Sequence, residues 1–205
     1  LYWAIKSCLQ NNYPNFFIIV SDNASSDKTE EVVRGFGDQR ISYLKTPTRL
    51  SMTSNWEFAL SHVVDGFVSI LGDDDGFLPN SFKDINEMLQ QYNLKAISWS
   101  QSFYRWPGND FVKIKNILQI PYKVGYEIRS TIDTIKSVIN QQKFPGDLPW
   151  LYGGFINMDC INEVKSKSGG LFFHSKIPDI YSSMVLSSIL DEYIFSYTPF
   201  SIAGH

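Results

Sequence analysis

Apolar and polar positions repeat with two different periods along the first hundred residues. Short apolar runs rich in β-forming residues predict buried strands, and apolar residues spaced three or four apart predict helices. Ser25, Ser26 and Asp27 provide caps before one helix, and Gly66 ends another. In chain order the pattern predicts a helix over 1–11, a strand over 16–20, a helix over 29–36, a strand over 41–44, a helix over 51–64, a strand over 67–71, a helix over 79–92 and a strand over 96–99.

Strands that alternate with amphipathic helices predict an α/β fold with a mostly parallel sheet, because right-handed crossover helices cover both of its faces. Ligands bind beyond the carboxyl ends of the strands in such sheets. The segments that follow the first three predicted strands are residues 21–25, 46–49 and 72–76. We therefore expect these three loops to face one crevice.

The second half of the chain has a less regular pattern. It predicts loops and short strands over 103–123, helices over 125–141, 159–165 and 178–190, a Gly/Pro-rich loop over 144–154 and a strand over 193–197. We interpret residues 101–205 as a substrate-selecting region packed on the same sheet as residues 1–100, within one domain.

Composition excludes several classes of protein. A chain of 205 residues with 43% apolar and 19% charged residues is typical of one globular domain with a full core. The net charge of −3, without a basic block, gives no reason to expect a nucleic-acid partner. The sequence contains no apolar run of the roughly 20 residues that a membrane span needs.

The cysteines and the start of the chain give two further expectations. Cys8 and Cys160 form no Cys-x-x-Cys pair, which favours two buried thiols in a reducing, cytoplasmic compartment. The chain begins at Leu1, without Met and within a helical pattern. We interpret it as a fragment of a longer protein.

Charged side chains stand in all three predicted crevice loops. Asp73, Asp74 and Asp75 follow an apolar run directly, which indicates either an ordinary turn or an oxygen-rich site for Mg²⁺ or Mn²⁺. Asp22 follows another strand, where its carboxylate can accept hydrogen bonds from a base or a ribose, or cap the next helix. Arg49 is within reach of the same crevice, although a lone arginine is often only a solvated surface charge.

Three stretches of the sequence, in this order, resemble the family 2 glycosyltransferases: IIVSDNASSDKTEEVV, RLSMTSNWEFAL and ILGDDDGFLPNSF. The resemblance implies the GT-A fold, with residues 1–100 as the nucleotide-sugar-binding half and residues 101–205 as the acceptor-binding half. The opening strand of the family is absent from this sequence, which agrees with a fragment.

The resemblance also implies roles for individual residues. Nucleotide binding falls to Asp22, Asn23 and Arg49, and Asp73 and Asp74 lie near the ribose and the phosphates. Asp74 or Asp75 holds the Mn²⁺ or Mg²⁺ ion. His205 matches a position that makes a further metal or phosphate contact in many enzymes of this fold, although a chain-terminal histidine is more often inert.

Family members that invert stereochemistry need a general base for the acceptor hydroxyl. Asp179, at the start of a predicted helix, is our candidate, because a helix N-terminus favours an ionised carboxylate. Capping of that helix is the alternative role. Asp147 is the second candidate, and we assign it with Trp150 and Tyr152 to acceptor binding, around a Gly153-Gly154 pair that would let a sugar approach the backbone. Core packing is the alternative for the aromatic residues.

Together these features predict a metal-dependent, inverting glycosyltransferase of cell-surface polysaccharide synthesis. The expected donor is a UDP- or GDP-type nucleoside-diphosphate sugar, and the expected acceptor is a glycan or a lipid-linked glycan. The expected location is cytoplasmic, including the inner face of a membrane reached through segments outside this sequence. The alternative is a catalytically inactive domain that binds a sugar nucleotide or a glycan. A dinucleotide oxidoreductase is disfavoured, because no Gly-x-Gly-x-x-Gly motif follows a predicted strand.

Overall fold

The computed structural model describes residues 1–107 and 116–204, which form seven α-helices, a 3₁₀ helix at Pro145–Asp147 and eleven strands. The helices are α1 (Tyr2–Leu9), α2 (Thr29–Arg34), α3 (Met52–Leu60), α4 (Ser81–Tyr92), α5 (Thr131–Ile139), α6 (Met158–Lys167) and α7 (Pro178–Ser187). The strands are β1 (Ile18–Asp22), β2 (Ile41–Lys45), β3 (Phe67–Val68), β4 (Gly76–Phe77), β5 (Ala96–Trp99), β6 (Ser102–Arg105), β7 (Ile117–Gln119), β8 (Tyr126–Ser130), β9 (Gly154–Asn157), β10 (Glu192–Ser196) and β11 (Ser201–Gly204).

The predicted order of helices and strands in the first hundred residues is confirmed. The main difference is the strand predicted over 67–71, since β3 ends at Val68. Beyond it, the Ile70 N–H donates to the Leu151 carbonyl at 2.8 Å, so the chain leaves the regular ladder but stays bound to a segment of the second half.

The helix predicted over 125–141 is wrong in its first part. Residues 126–130 form β8, which pairs antiparallel with β10, and α5 begins only at Thr131. Within β8, Tyr126 and Ile128 are exposed whereas Arg129 is buried, which is the two-residue alternation of a strand. Apolar residues spaced three or four apart from Ile128 onward therefore indicated a helix where long-range pairing forms a strand.

The strands form three hydrogen-bonded groups, with the orders β1-β2, β3-β9-β5-β10-β8 and β4-β11-β6-β7. The α/β class is confirmed, but the sheets are mixed instead of mostly parallel. Three pairings in the described chain are parallel and five are antiparallel. The reason lies in β9, which enters from the second half and pairs antiparallel with both β3 and β5.

Two apolar clusters cover the two faces of the five-stranded sheet. On one face, α4 packs Phe82, Ile85 and Leu89 against Ile97 and Ile194. On the other face, α6 and α7 cover the sheet with a cluster that includes Ile161, Leu186, Ala96, Ile156 and Tyr193. Strands from both halves of the chain thus share one core and carry their loops to a common edge. No helix in the described ranges combines the length and apolar composition needed to cross a bilayer.

The prediction of two buried thiols is confirmed. Cys8 and Cys160 are unpaired, and only 6% and 4% of their surfaces are exposed. Burial raises the pKa of Cys8 to about 12 and also raises the pKa of Cys160. Both side chains therefore act as small apolar groups of the core.

Candidate functional site

The acidic loop, which we define as residues 72–75 between β3 and β4, is anchored by its last carboxylate. Asp75 is buried, and its Oδ2 accepts hydrogen bonds from the Tyr152 hydroxyl at 2.6 Å and from the Gly72 N–H at 3.0 Å. Its Oδ1 accepts from the Gly204 N–H at 2.8 Å. Asp73 and Asp74 are exposed. One member of the triplet therefore binds protein donors, and the other two lie at the surface.

Tyr152 joins the acidic loop to the second half of the chain. Its ring stacks on Trp56 of α3, with the ring centroids 6.0 Å apart and the planes at 10°, and the ring of Trp150 meets it nearly edge-on at 6.1 Å. Burial raises the pKa of Tyr152, as do the hydrogen bond to Asp75 and the charges of Asp74 and Asp179. The hydroxyl thus stays protonated and acts as a donor.

Asp179 stands in the first turn of α7, which hydrogen bonds tie to the segment of Tyr152. The Leu151 N–H donates to the Ser182 hydroxyl at 3.5 Å, and that hydroxyl donates to the Asp179 carbonyl at 2.6 Å. Asp179 is the second residue of α7, whose N-cap is Ile177 without a side-chain capping bond. The Oδ1 atom of Asp179 is buried and has no hydrogen-bond partner among the described residues. The capping alternative is therefore not observed in the described chain, and one carboxylate oxygen remains available for a ligand proton.

Asp22, at the end of β1, is buried and bound by protein groups. Its Oδ1 accepts from the Ser25 N–H at 2.7 Å, and its Oδ2 accepts from the Tyr43 hydroxyl at 2.5 Å and lies 3.7 Å from the Lys45 ammonium. Burial raises the pKa of Asp22, but the hydrogen bonds from Tyr43 and Ser25 and the charge of Lys45 outweigh it, so the pKa is lowered overall. The carboxylate is ionised and shapes the loop, and base recognition by Asp22 stays a prediction.

Asn23 positions the loop that carries Arg49. Its Oδ1 accepts from the Leu50 N–H at 2.7 Å, and its Nδ2 donates to the Leu50 carbonyl at 2.9 Å. Arg49 itself is exposed. Asn23 thus fixes the backbone beside Arg49 through both its amide oxygen and its amide nitrogen, and a direct nucleotide contact by Asn23 stays a prediction.

Helix α3 connects the loop after β1 with the acidic loop. The Ser21 hydroxyl donates to Asn55 Oδ1 at 2.9 Å, and the next residue, Trp56, stacks on Tyr152. The helix begins directly after Arg49 and Leu50, where the Ser51 side chain caps it by accepting from the Ser54 N–H. Two of the three predicted loops therefore adjoin α3, and the acidic loop is linked to it through Tyr152.

Asp147 is bound by protein groups, and its roles in acceptor binding and as the second base candidate stay predictions. Its Oδ1 accepts from Arg129 at 2.9 Å, and its Oδ2 accepts from the Phe144 N–H at 3.0 Å. The buried Arg129 guanidinium also pairs with Glu127 at 2.6 Å and lies 3.5 Å from the centre of the Phe195 ring. Each oxygen of Asp147 thus accepts a hydrogen bond from a protein donor, which indicates a structural role for this carboxylate.

The Gly153-Gly154 pair is packed against protein atoms. This differs from the expectation that a sugar approaches the backbone at these glycines. A Cβ on Gly153 would lie 2.8 Å from Trp150 Nε1, because the indole folds over this residue. A Cβ on Gly154 would lie 2.5 Å from the Ile97 carbonyl oxygen and closer still to the Trp150 carbonyl. Trp150 Nε1 is nevertheless buried without a partner in the described chain, so it retains a donor.

The metal assignments have uneven support. Within residues 1–107 and 116–204, no group of three or more His, Cys, Asp or Glu side chains is arranged to hold an ion. His205 lies outside the described residues. Any ion at the acidic loop would therefore take only one or two ligands from the described carboxylates.

Comparison with known proteins identifies the family. The family model described as glycosyl transferase family 2 matches residues 1–145. An uncharacterized glycosyltransferase of Haemophilus influenzae is 27% identical over 169 residues, which cover 78% of this chain and 66% of the relative. The Escherichia coli enzyme WfgD, named as a UDP-Glc:α-D-GlcNAc-diphosphoundecaprenol β-1,3-glucosyltransferase, is 28% identical over 123 residues, which cover 60% of this chain and 47% of the enzyme.

Solved structures agree with this result. Residues 1–349 of Staphylococcus aureus TarS in complex with UDP superimpose with a TM-score of 0.70 at 12% identity, covering 99% of this chain and 56% of that chain. The complex of TarS with UDP-GlcNAc gives the same TM-score at 13% identity. The predicted GT-A fold is confirmed, and the chain spans about half to two thirds of the length of these relatives. Since the family model covers more than half of its residues, the chain belongs to glycosyl transferase family 2.

Proposed function

We propose that this chain transfers a sugar from a UDP-linked donor to a hydroxyl group of a lipid-linked glycan, with Asp179 as the general base. The observation that carries the proposal is the buried Asp179 Oδ1, which has no hydrogen-bond partner among the described residues. The turn that carries it is bound through Ser182 to Leu151, and the next residue, Tyr152, binds Asp75 of the acidic loop.

The relatives support the class of donor and acceptor. TarS has been crystallised with UDP and with UDP-GlcNAc, and WfgD is named for a UDP-Glc donor. The acceptor in the name of WfgD is a sugar attached to diphosphoundecaprenol, which is a lipid-linked glycan. These findings favour a uridine nucleotide over a guanosine nucleotide for this chain, and a lipid-linked acceptor within polysaccharide synthesis.

The acidic loop fits a divalent ion that is shared with the donor. Asp74 is exposed, and its Oδ1 lies 3.0 Å from the point that a Cβ on Gly72 would occupy, so it stands beside Tyr152. A hard ion such as Mn²⁺ or Mg²⁺ takes oxygen ligands and commonly keeps waters and substrate phosphates in its shell. One or two carboxylates from this loop suffice for that arrangement, with Asp74 as the proposed ligand.

The chemical step requires a base, an oriented hydroxyl and a stabilised leaving group. The acceptor oxygen attacks C1 of the donor sugar as its proton passes to Asp179, and the bond from C1 to the diphosphate oxygen breaks. Attack from the side opposite the leaving group inverts the configuration at C1. A bound divalent ion would supply charge stabilisation to the departing diphosphate.

The test is UDP release from UDP-sugars in the presence of Mn²⁺ and a polyprenyl-diphosphate-linked sugar acceptor. We expect acceptor-dependent release by the wild-type protein and a roughly 10²- to 10⁴-fold slower rate in Asp179→Asn, because the general base is removed. Asp133→Asn is the matched control, since Asp133 also stands in the first turn of a helix but is exposed. Full activity of Asp179→Asn would refute the assignment, and UDP binding without any turnover would favour a binding domain.

A further inference from the structure

We propose that Tyr152 is a positioning residue that fixes the acidic loop through Asp75, and that Asp75 anchors this loop instead of ligating the metal ion. The inference rests on the proposed function, since it concerns the loop expected to hold the ion and the donor diphosphate. It gives separate roles to two neighbouring carboxylates, Asp74 and Asp75, which the sequence alone leaves equivalent.

The donors around Asp75 come from three separate parts of the chain. Gly72 belongs to the acidic loop, Tyr152 precedes β9, and Gly204 ends β11. All three distances lie between 2.6 and 3.0 Å, and only 7% of the Asp75 surface is exposed. A carboxylate that accepts hydrogen bonds from three segments of the chain holds those segments together. A metal ion at the same oxygens would have to compete with these N–H and O–H donors.

Packing and hydrogen bonds fix the position of Tyr152 independently of its hydrogen bond to Asp75. Its ring stacks on Trp56, and its carbonyl accepts from Gln101 Nε2 at 3.2 Å. The carbonyl of the next residue, Gly153, accepts from the Trp99 N–H at 3.2 Å, which ties the segment to β5. The hydroxyl therefore points at Asp75 because packing and backbone hydrogen bonds fix the residue, and the loop conforms to it.

Gly72 shows how tightly the loop is seated against Tyr152. A Cβ at this position would lie 2.7 Å from Asp75 Oδ2, 2.8 Å from the Tyr152 hydroxyl oxygen and 3.0 Å from Asp74 Oδ1. The same small space thus holds the anchor, its donor and the exposed carboxylate. Loss of the Tyr152 hydroxyl loosens Asp75 and, with it, the position of the adjacent Asp74.

The expected effect of Tyr152→Phe on metal affinity can be taken from other hydrogen-bonding groups that orient metal ligands. Removal of a hydrogen-bonding group behind a metal ligand typically weakens metal affinity by about 10- to 100-fold. Tyr152→Phe removes the hydroxyl but keeps the ring that stacks on Trp56. We therefore expect the Mn²⁺ concentration for half-maximal UDP binding to rise by roughly tenfold or more in this variant.

The experiment measures UDP binding by calorimetry over a series of Mn²⁺ concentrations in wild type, Tyr152→Phe, Asp75→Asn and the variant that carries both substitutions. Tyr92→Phe is the matched control, because it removes a hydroxyl that bonds Tyr126 at 2.7 Å on the protein surface. Similar, non-additive shifts in Tyr152→Phe and Asp75→Asn would support the anchor. Complete loss of Mn²⁺-dependent binding in Asp75→Asn with no change in Tyr152→Phe would overturn it and make Asp75 a ligand.

Amide hydrogen exchange tests the anchor without metal, nucleotide or activity. The N–H groups of Gly72 and Gly204 both donate to Asp75, so we expect their exchange to accelerate by about tenfold or more in Asp75→Asn and to a lesser extent in Tyr152→Phe. Unchanged exchange at both amides in both variants would overturn the inference. If wild type binds no UDP with Mn²⁺, the proposed function fails, while this measurement still decides whether Asp75 and Tyr152 hold the loop.

Discussion

Replacement of Asp147 by alanine distinguishes a structural carboxylate from one that binds the acceptor. The side chain is about a quarter exposed, at 24%, and it pairs with a guanidinium of Arg129 that is only 6% exposed. The variant loses the charged hydrogen bond from Arg129 and the one from the Phe144 N–H. It keeps the Glu127 carboxylate, which still compensates the Arg129 charge.

The expected loss of stability follows from these contacts. A hydrogen bond to a charged partner contributes about 1.5–3 kcal/mol, and we take the lower half of this range because Asp147 is partly solvated and Glu127 remains. The lost hydrogen bond from the Phe144 N–H contributes less, because this N–H can donate to water instead. The free energy of unfolding therefore falls by about 2–3 kcal/mol. For a chain of this size that corresponds to a decrease in Tm of roughly 4–12 °C.

Thermal unfolding followed by circular dichroism measures this loss, with Asp159→Ala as the control. Asp159 pairs with Lys95 at 3.3 Å, but its side chain is 72% exposed, so its removal is expected to cost less than about 1 kcal/mol. An Asp147→Ala protein with an unchanged Tm and a strongly raised KM for the acceptor would refute the structural role and restore the acceptor role.

Three further perturbations probe the loops and the core. Gly154→Ala should destabilise the protein by more than about 3 kcal/mol in urea unfolding, because the added Cβ meets two backbone carbonyls; a cost below 1 kcal/mol would contradict this packing. Asn23→Ala should cost about 1–3 kcal/mol and weaken UDP binding, since Leu50 loses both hydrogen bonds beside Arg49; unchanged stability and affinity would refute this positioning role. Cys8, with a pKa of about 12, should resist alkylation in the native protein at pH 8, where roughly one thiol in ten thousand is ionised; labelling within minutes would show that it is accessible.

Local periodicity was sufficient to predict the order of elements in the first hundred residues. Each of those helices and strands buries one side or both sides, and the spacing of apolar residues records that burial. The direction of the strands was not predictable in the same way. The insertion of β9 between β3 and β5 depends on residues 154–157, which are far away in sequence and carry no local sign of their partners.

The residues of the candidate site were likewise predictable from the sequence only in part. The sequence pointed to Asp74 and Asp179, and the structure binds the turn that carries Asp179 to Leu151, the neighbour of Tyr152. The anchoring role of Asp75 was missed, because its donors Tyr152 and Gly204 are 77 and 129 residues away along the chain. No pattern within a short window reports contacts over such separations.

The burial of Arg129 would have been predictable if its segment had been assigned to a strand. Within a predicted helix it appeared as one polar residue among several, whereas the alternation of β8 places it inside the fold. A buried arginine needs acidic partners, and Glu127 and Asp147 are those partners. The correct strand assignment would thus have indicated that Arg129 is buried and needs acidic partners, but not that Asp147, 18 residues away, is one of them.

The most direct test of the central claim, that the acidic loop binds a divalent ion which in turn binds the donor diphosphate, is calorimetry of UDP binding with and without Mn²⁺. We predict that Mn²⁺ strengthens binding at least tenfold in wild type and in the control Asp84→Ala, whose carboxylate is exposed in the first turn of α4, but not in Asp74→Ala. Equal affinity with and without Mn²⁺ in wild type, or an undiminished effect of Mn²⁺ in Asp74→Ala, would contradict the claim.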